Sequence, residues 1–286
     1  MVAYKIYIFL EDNMPTTKTG WEFEKRVHFD EIVTKYDEIR PNYPNRLFVD
    51  LIEYSGKGTD KKALEIGAGT GKATRPILEA GYNVTAVEIG ANMAAFLSDK
   101  YKSYKDFNVI VSSFEDANIE ENEYDLIYAA SSIHWVDAKI GCPKIKRLLK
   151  NGGTIALLRY NFSSEDDESL DAAYDKYFRT HYLSRAGEKP IKRTHDDLRN
   201  PDGFLTRYGF NGLEEYNFKD ITLNFYDIEI IYTADEYIKL YETMADHRDL
   251  PEKNKTGLYN EVTRIINQNG GKYKMDYIFQ VYMGRK

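Results

Sequence analysis

Seven residues, Glu65-Ile66-Gly67-Ala68-Gly69-Thr70-Gly71, constrain this chain more than any other stretch. Three glycines at alternate positions close a short apolar run containing Ala63, Leu64 and Ile66; residues 73–80, with Ile77, Leu78 and Ala80 at helical spacing, follow them. That order predicts a strand, a glycine turn and a helix. Glycine is required where backbone takes positive φ or lies against a ligand, because a Cβ there strains the chain or strikes the ligand. The helix start beyond the turn presents unpaired N–H groups and partial positive charge, which favour a carboxylate or phosphate. Residues 83–87 predict a second strand ending in Glu88, 21 residues after Gly67. An acid about 20 positions beyond such a loop is placed to accept hydrogen bonds from both ribose hydroxyls.

Spacing separates the ligand classes that use such loops. A P-loop needs glycine where Ile66 stands and Ser or Thr where Ala73 stands. The dinucleotide fingerprint can use Gly67 and Gly69 but meets Lys72 at its third small position, where bulk opposes close helix–strand packing. The remaining pattern, E-x-G-x-G-x-G, resembles the cofactor loop of class I S-adenosylmethionine-dependent methyltransferases. The resemblance implies that Glu65 lies near the methionine amino group, that Gly67, Ala68, Gly69 and Gly71 pass beneath the cofactor, and that Glu88, followed by Ile89, holds the ribose. A glycine turn in another α/β domain, with Glu88 a solvated strand-end acid, is the alternative.

A chain of 286 residues holds a full sheet with helices on both faces plus an insertion. Its net charge of −7 argues against a nucleic-acid substrate, which needs phosphate neutralisation. The single Cys142 excludes an internal disulfide and a multi-thiolate metal site, and suits a cytoplasmic location. No ligand cluster at metal spacing is evident. Residues 2–10 are apolar but far short of the ~20 needed to span a bilayer, and lack a signal-peptide cleavage site. Met14 offers an alternative start, so residues 1–19 read as peripheral to a domain covering 20–286.

Two helical patterns, one on Phe29, Ile32, Val33 and Tyr36 and one on Leu47, Phe48, Leu51 and Ile52, flank Arg40-Pro41-Asn42-Tyr43-Pro44, where proline ends one helix and begins the next. Y-x-x-x-R-P-x-Y-P resembles the segment that folds over the cofactor in many small-molecule methyltransferases, which implies a lid over about 21–55 with Tyr36 and Arg40 at the methionine end and Arg40 on its carboxylate. Met93 begins a helix in the position that flanks adenine in that family. Residues 109–111 are a third strand, and Ser113, Phe114 and Glu115 follow where the family closes its adenine pocket. Residues 124–130 are a fourth strand, ending in Ala130 and Ser131. The following His134-Trp135 resembles the A-x-x-x-H-W stretch of trans-aconitate methyltransferase-like members, which implies that both face the reacting methyl and the acceptor.

Asn151-Gly152-Gly153 reads as a helix-stopping turn before a fifth strand over 154–160. The polar stretch from 161 to about 212 reads as a helical cap insertion. Residues 214–231 predict a sixth strand or a hairpin. Thr233-Ala234-Asp235-Glu236 has capping-box form and starts a helix that His247-Arg248 ends; a further helix over 255–268 and a last strand over 273–283 complete the chain. The fold expected is α/β and Rossmann-like: a mostly parallel seven-stranded sheet, helices on both faces, and, by the resemblance, an antiparallel last strand. The function expected is methyl transfer from S-adenosylmethionine to a small-molecule acceptor, giving S-adenosylhomocysteine, with His134 as base or positioning group. Trp21, Tyr43, Arg159, Tyr160, His247 and Arg248 are the acceptor-side candidates. An NAD-type oxidoreductase and a non-catalytic S-adenosylmethionine-binding protein are the alternatives, because fold alone does not choose chemistry.

Overall fold

The computed structural model describes residues 28–164, 167–181, 199 and 212–286. Trp21, the segment 1–19, the first part of the lid and most of the cap lie outside the described residues. Seven strands form one sheet: β1 (Lys62–Ile66), β2 (Asn83–Glu88), β3 (Phe107–Val111), β4 (Tyr124–Ala130), β5 (Leu149–Ser164), β6 (Lys219–Thr233) and β7 (Lys272–Arg285). Their spatial order is β3-β2-β1-β4-β5-β7-β6, parallel from β3 to β5, with β7 antiparallel between β5 and β6. The expected Rossmann-like sheet with its inverted last strand is therefore present.

Successive strand residues point to opposite faces, so each strand feeds two cores. Ala63, Leu126, Tyr128 and Leu158 face one core, with α2 (Asn45–Ser55), α3 (Thr74–Glu79), α4 (Ala91–Lys100), α7 (Ala234–Tyr241) and α9 (Glu252–Gln268). Leu64, Ile66, Ile127 and Leu157 face the other, with α5 (Ala138–Leu148). The described part of the lid has a 3₁₀ turn at His28–Glu31, continues as α1 (Val33–Ile39) and enters α2 after Pro44. Past β5, α6 (Glu168–Tyr174) starts on an Asp167 cap and runs into a π-helical turn at Asp175–Arg179. The Thr233–Glu236 capping box starts α7 as expected.

Three boundaries differ from expectation. Asn151-Gly152-Gly153 lies within β5 as an irregularity: the pairing with β4 slips between Tyr124 and Leu126, and the backbone of Gly152 and Gly153 bonds Lys286. Residues 219–233 form one 15-residue strand, since β7 pairs with it along nearly its whole length. The helix predicted to end at His247-Arg248 stops at Tyr241, and that pair belongs to a separate short helix, α8 (Ala245–Arg248). Among the described residues no helix is long and apolar enough to cross a membrane.

Candidate active site

All three loop glycines take positive φ: +62° at Gly67, +55° at Gly69 and +81° at Gly71. Their surroundings divide them. A Cβ on Gly67 meets Ser132 Cβ at 2.7 Å, and one on Gly71 meets the Tyr101 and Leu97 side chains at 2.6 and 2.7 Å, so both glycines serve packing. A Cβ on Gly69 meets nothing within 4 Å, leaving an open arc above the loop. Two acids flank it. The Gly69 and Gly90 backbone N–H groups donate to Glu88 Oε2 and Oε1 at 2.8 and 2.9 Å. Glu88 thus ties the loop tip to the turn after β2; burial raises its pKa while these backbone bonds oppose the rise.

Glu65 is fully buried on the lid-side face. Its Oε2 accepts from Thr74 Oγ1 and from the Tyr128 hydroxyl at 2.9 Å, the latter supplied by the register of β4 beside β1. Its Oε1 has no partner among the described residues. Burial pushes the Glu65 carboxyl up to about 7, with the Thr74 and Tyr128 bonds acting in the opposite direction. A buried carboxylate oxygen without a donor fits an ammonium group of a ligand, and the open arc at Gly69 fits a ligand body, so these residues suit S-adenosylmethionine.

The lid carries a cation to the same end of the sheet. Arg40 donates from Nε to Thr243 Oγ1 at 2.8 Å, from Nη2 to the Thr243 carbonyl at 2.7 Å and from Nη1 to the Tyr160 hydroxyl at 3.1 Å, with its guanidinium 5.1 Å from the Tyr36 ring centre. No carboxylate pairs with it among the described residues. Tyr43 is buried with its hydroxyl sharing a 2.7 Å hydrogen bond with Ser131 Oγ, and its ring packs edge-on against Tyr160 and Phe279. Ser131 itself sits at φ +53° immediately after β4. The segment between β1 and β3 holds the lid through Lys72, which donates to Asp37 O and Asn42 Oδ1, through the Lys100–Asp37 ion pair, and through Met93 N, which donates to Asp30 Oδ1 at 2.7 Å at the start of α4. The Lys72 that breaks the dinucleotide fingerprint is thus a strut to the lid.

Met93 is buried and Ile89 half-buried beyond Glu88. The loop after β3 is shaped from below: the Lys144 ammonium donates to the carbonyls of Phe114, Glu115 and Ala117 at 2.7, 3.1 and 2.6 Å. The Phe114 ring is buried in the α5-side core, in the same apolar cluster as Val136 and Cys142, which leaves its backbone as the group able to face a ligand. Ser113 Oγ bonds Asp116 within the loop, and Glu115 Oε1 accepts from Asp137 N at 3.4 Å. His134 and Trp135 form a 3₁₀ turn, Ile133–Trp135, past Ala130 and Ser131, with ring centres 5.0 Å apart and both side chains half-buried.

Of the acceptor-side candidates, Tyr43 and Tyr160 pack against each other. Tyr160 stands on the lid-side face, whereas the preceding Arg159 projects to the opposite face, where it is buried and donates to Asn161 Oδ1 at 2.9 Å. His247 is enclosed by Tyr174, Phe178 and Tyr241, which places it in a helix-packing core rather than a pocket. Arg248 pairs with Glu31 at 2.8 Å, joining α8 to the lid. Sequence reasoning missed Thr74, Tyr128, Asp30, Lys144 and Thr243; of these only Tyr128 was accessible to it, through the adjacency of β1 and β4.

Residues 64–157 match the family described as methyltransferase domain. An uncharacterized methyltransferase of Mycobacterium bovis is 28% identical over 130 residues, covering 46% of this chain and 51% of that protein. This chain therefore spans about half the length of the curated relatives it matches first. A candidate type II methyltransferase of Anaeromyxobacter dehalogenans superposes with TM-score 0.59 at 20% identity, over 86% of this chain and 97% of the other. A phosphoethanolamine N-methyltransferase of Haemonchus contortus, solved with phosphomonomethylethanolamine and S-adenosylhomocysteine, gives 0.53 at 16% identity, over 96% and 61%. Over residues 64–157 the chain is similar to the methyltransferase domain, and its sheet has the Rossmann-like fold of the methyltransferase structures on which it superposes.

Proposed function

We propose that this protein transfers the methyl group of S-adenosylmethionine to a small-molecule acceptor at the carboxyl ends of β4 and β5. The observation that carries the reading is the pair of buried acids on either side of an open glycine arc, one of them with an unclaimed oxygen. Bound S-adenosylmethionine supplies an electrophilic methyl group and leaves as S-adenosylhomocysteine. Glu65 receives the methionine ammonium, Arg40 its carboxylate and Glu88 the ribose hydroxyls, while Ile89, Met93 and the backbone of 113–115 enclose the adenine. Gly69 lets that chain of contacts pass close to the backbone.

Methyl transfer asks chiefly for placement and exclusion of water, since charge is neutralised as the bond forms. Tyr43, Tyr160 and Phe279 form an aromatic wall beside Ser131. His134 takes the proton of an acceptor hydroxyl or amine, with Trp135 packed against it; a carboxylate acceptor needs no base. The test is transfer of labelled methyl from S-adenosylmethionine to a panel of hydroxyl, amine and carboxylate acceptors. With a hydroxyl or amine acceptor, His134→Gln lowers turnover by about 10²–10⁴ and leaves S-adenosylhomocysteine affinity unchanged. Full turnover in that variant contradicts the base role, and tight S-adenosylhomocysteine binding with no transfer to any acceptor favours a non-catalytic protein.

A further inference from the structure

The Arg40 guanidinium is fixed by a residue 203 positions away. Thr243 is fully buried at the turn after α7, and its hydroxyl also donates to the Leu240 carbonyl at 2.5 Å, so the hydroxyl orientation is set before Arg40 arrives. Its Oγ1 and its carbonyl oxygen together occupy the Nε–Nη2 edge of the guanidinium, a two-point contact that fixes the plane of the group. Tyr160 takes one N–H of Nη1, the Tyr36 ring lies beside the cation, and the Lys35–Glu242 ion pair at 2.6 Å ties α1 to the same turn. Of the five guanidinium N–H groups, three are thus engaged and two remain, one on each terminal nitrogen. A half-buried cation with spare paired donors and no carboxylate among the described residues is arranged to receive an anion.

We propose that Thr243 is the positioning residue that holds Arg40 ready for the carboxylate of the cofactor's methionine moiety. The inference rests on the functional reading above and deepens it. Recognition of the carboxylate is thereby divided between the N-terminal lid and the C-terminal helices, both outside residues 64–157. Closure of the lid onto α7 and formation of the carboxylate site are then one event, because the same Thr243 contacts accomplish both. Preorganisation of this kind lowers the ordering cost that a flexible arginine imposes on binding.

The test compares affinities of the full chain for S-adenosylhomocysteine and for its decarboxylated analogue, which keeps the adenosine, the thioether and the ammonium. Thr243→Val preserves side-chain shape and removes the hydroxyl acceptor. It weakens S-adenosylhomocysteine binding about tenfold and leaves the decarboxylated analogue within about twofold. Arg40→Lys shows the same preference, and the double variant binds no worse than Arg40→Lys alone, because both substitutions remove one device. Equal loss for the two ligands in Thr243→Val, or no loss for either, overturns the positioning role. Wild-type protein that binds neither ligand refutes the cofactor reading itself, which separates the two failures.

Discussion

The proposed placing of the methionine ammonium on Glu65 makes cofactor binding depend on pH in a calculable way. Burial raises the Glu65 carboxyl from an ordinary 4.5 to about 7. The raised pKa contributes about 3 kcal/mol, which favours the fold in full below pH 4.5 and is lost as pH rises through about 7. A methionine ammonium binds the ionised form. Below pH 7 the site must therefore release a proton before the ligand is held, and affinity for S-adenosylhomocysteine is about tenfold weaker at pH 6 than at pH 8. Glu65→Gln keeps the acceptor for Thr74 and Tyr128 but carries no charge. In that variant affinity at pH 8 falls about 10- to 100-fold, the cost of losing a charge-assisted hydrogen bond, and the dependence between pH 6 and 8 disappears. Titration calorimetry at both pH values, in two buffers of different ionisation enthalpy, reads affinity and proton release together. A wild type whose affinity is flat from pH 8 to 6, or a Glu65→Gln protein that keeps the slope, refutes the assignment of the ammonium to Glu65.

Gly69→Ala places a methyl in the open arc at φ +55°; stability falls by about 1–2 kcal/mol while S-adenosylhomocysteine affinity drops more than tenfold, whereas Gly270→Ala, also at positive φ with open space around it, loses only stability. Parallel melting and binding curves check this. Lys144→Met strips three carbonyls of the loop after β3 of their common donor, costing about 2–4 kcal/mol in denaturant unfolding and weakening adenosine binding. His247 is held well below its ordinary 6.5 by burial and, less, by Lys255, so its contribution to stability is present above pH 6.5 and lost as pH falls below it. Relative to His247→Phe, the wild type loses up to about 1.4 kcal/mol per pH unit below 6.5, read from urea midpoints at pH 7.5 and 5.5.

Local signals in the sequence carried the sheet and the glycine turn. The glycine spacing, the apolar runs and the acid after β2 all act within about thirty residues, the span of one βαβ unit, and the structure has the strand, the glycines at positive φ and the second strand ending in Glu88. What was not legible depends on distant pairing. Gly152 and Gly153 look like a stop signal until Lys286 is known to bond them. His247 looks like a pocket residue until α6, α8 and α9 bring Tyr174 and Tyr259 around it. Phe114 stands in a stretch rich in acids, yet its ring packs inward, with Lys144 bonding its carbonyl and those of Glu115 and Ala117. Arg40 was found by its motif, while its anchor Thr243 belongs to no motif and is defined only by the fold.

Thermal unfolding with S-adenosylhomocysteine and with NAD, in the wild type and in Glu88→Ala, tests the central claim most directly. At about 100 times its dissociation constant, S-adenosylhomocysteine stabilises by ~2.7 kcal/mol and raises the wild-type midpoint by about 5–10 °C. The account predicts that rise in the wild type, its loss in Glu88→Ala, and no rise with NAD. A rise with NAD alone, or an S-adenosylhomocysteine rise undiminished in Glu88→Ala, contradicts it.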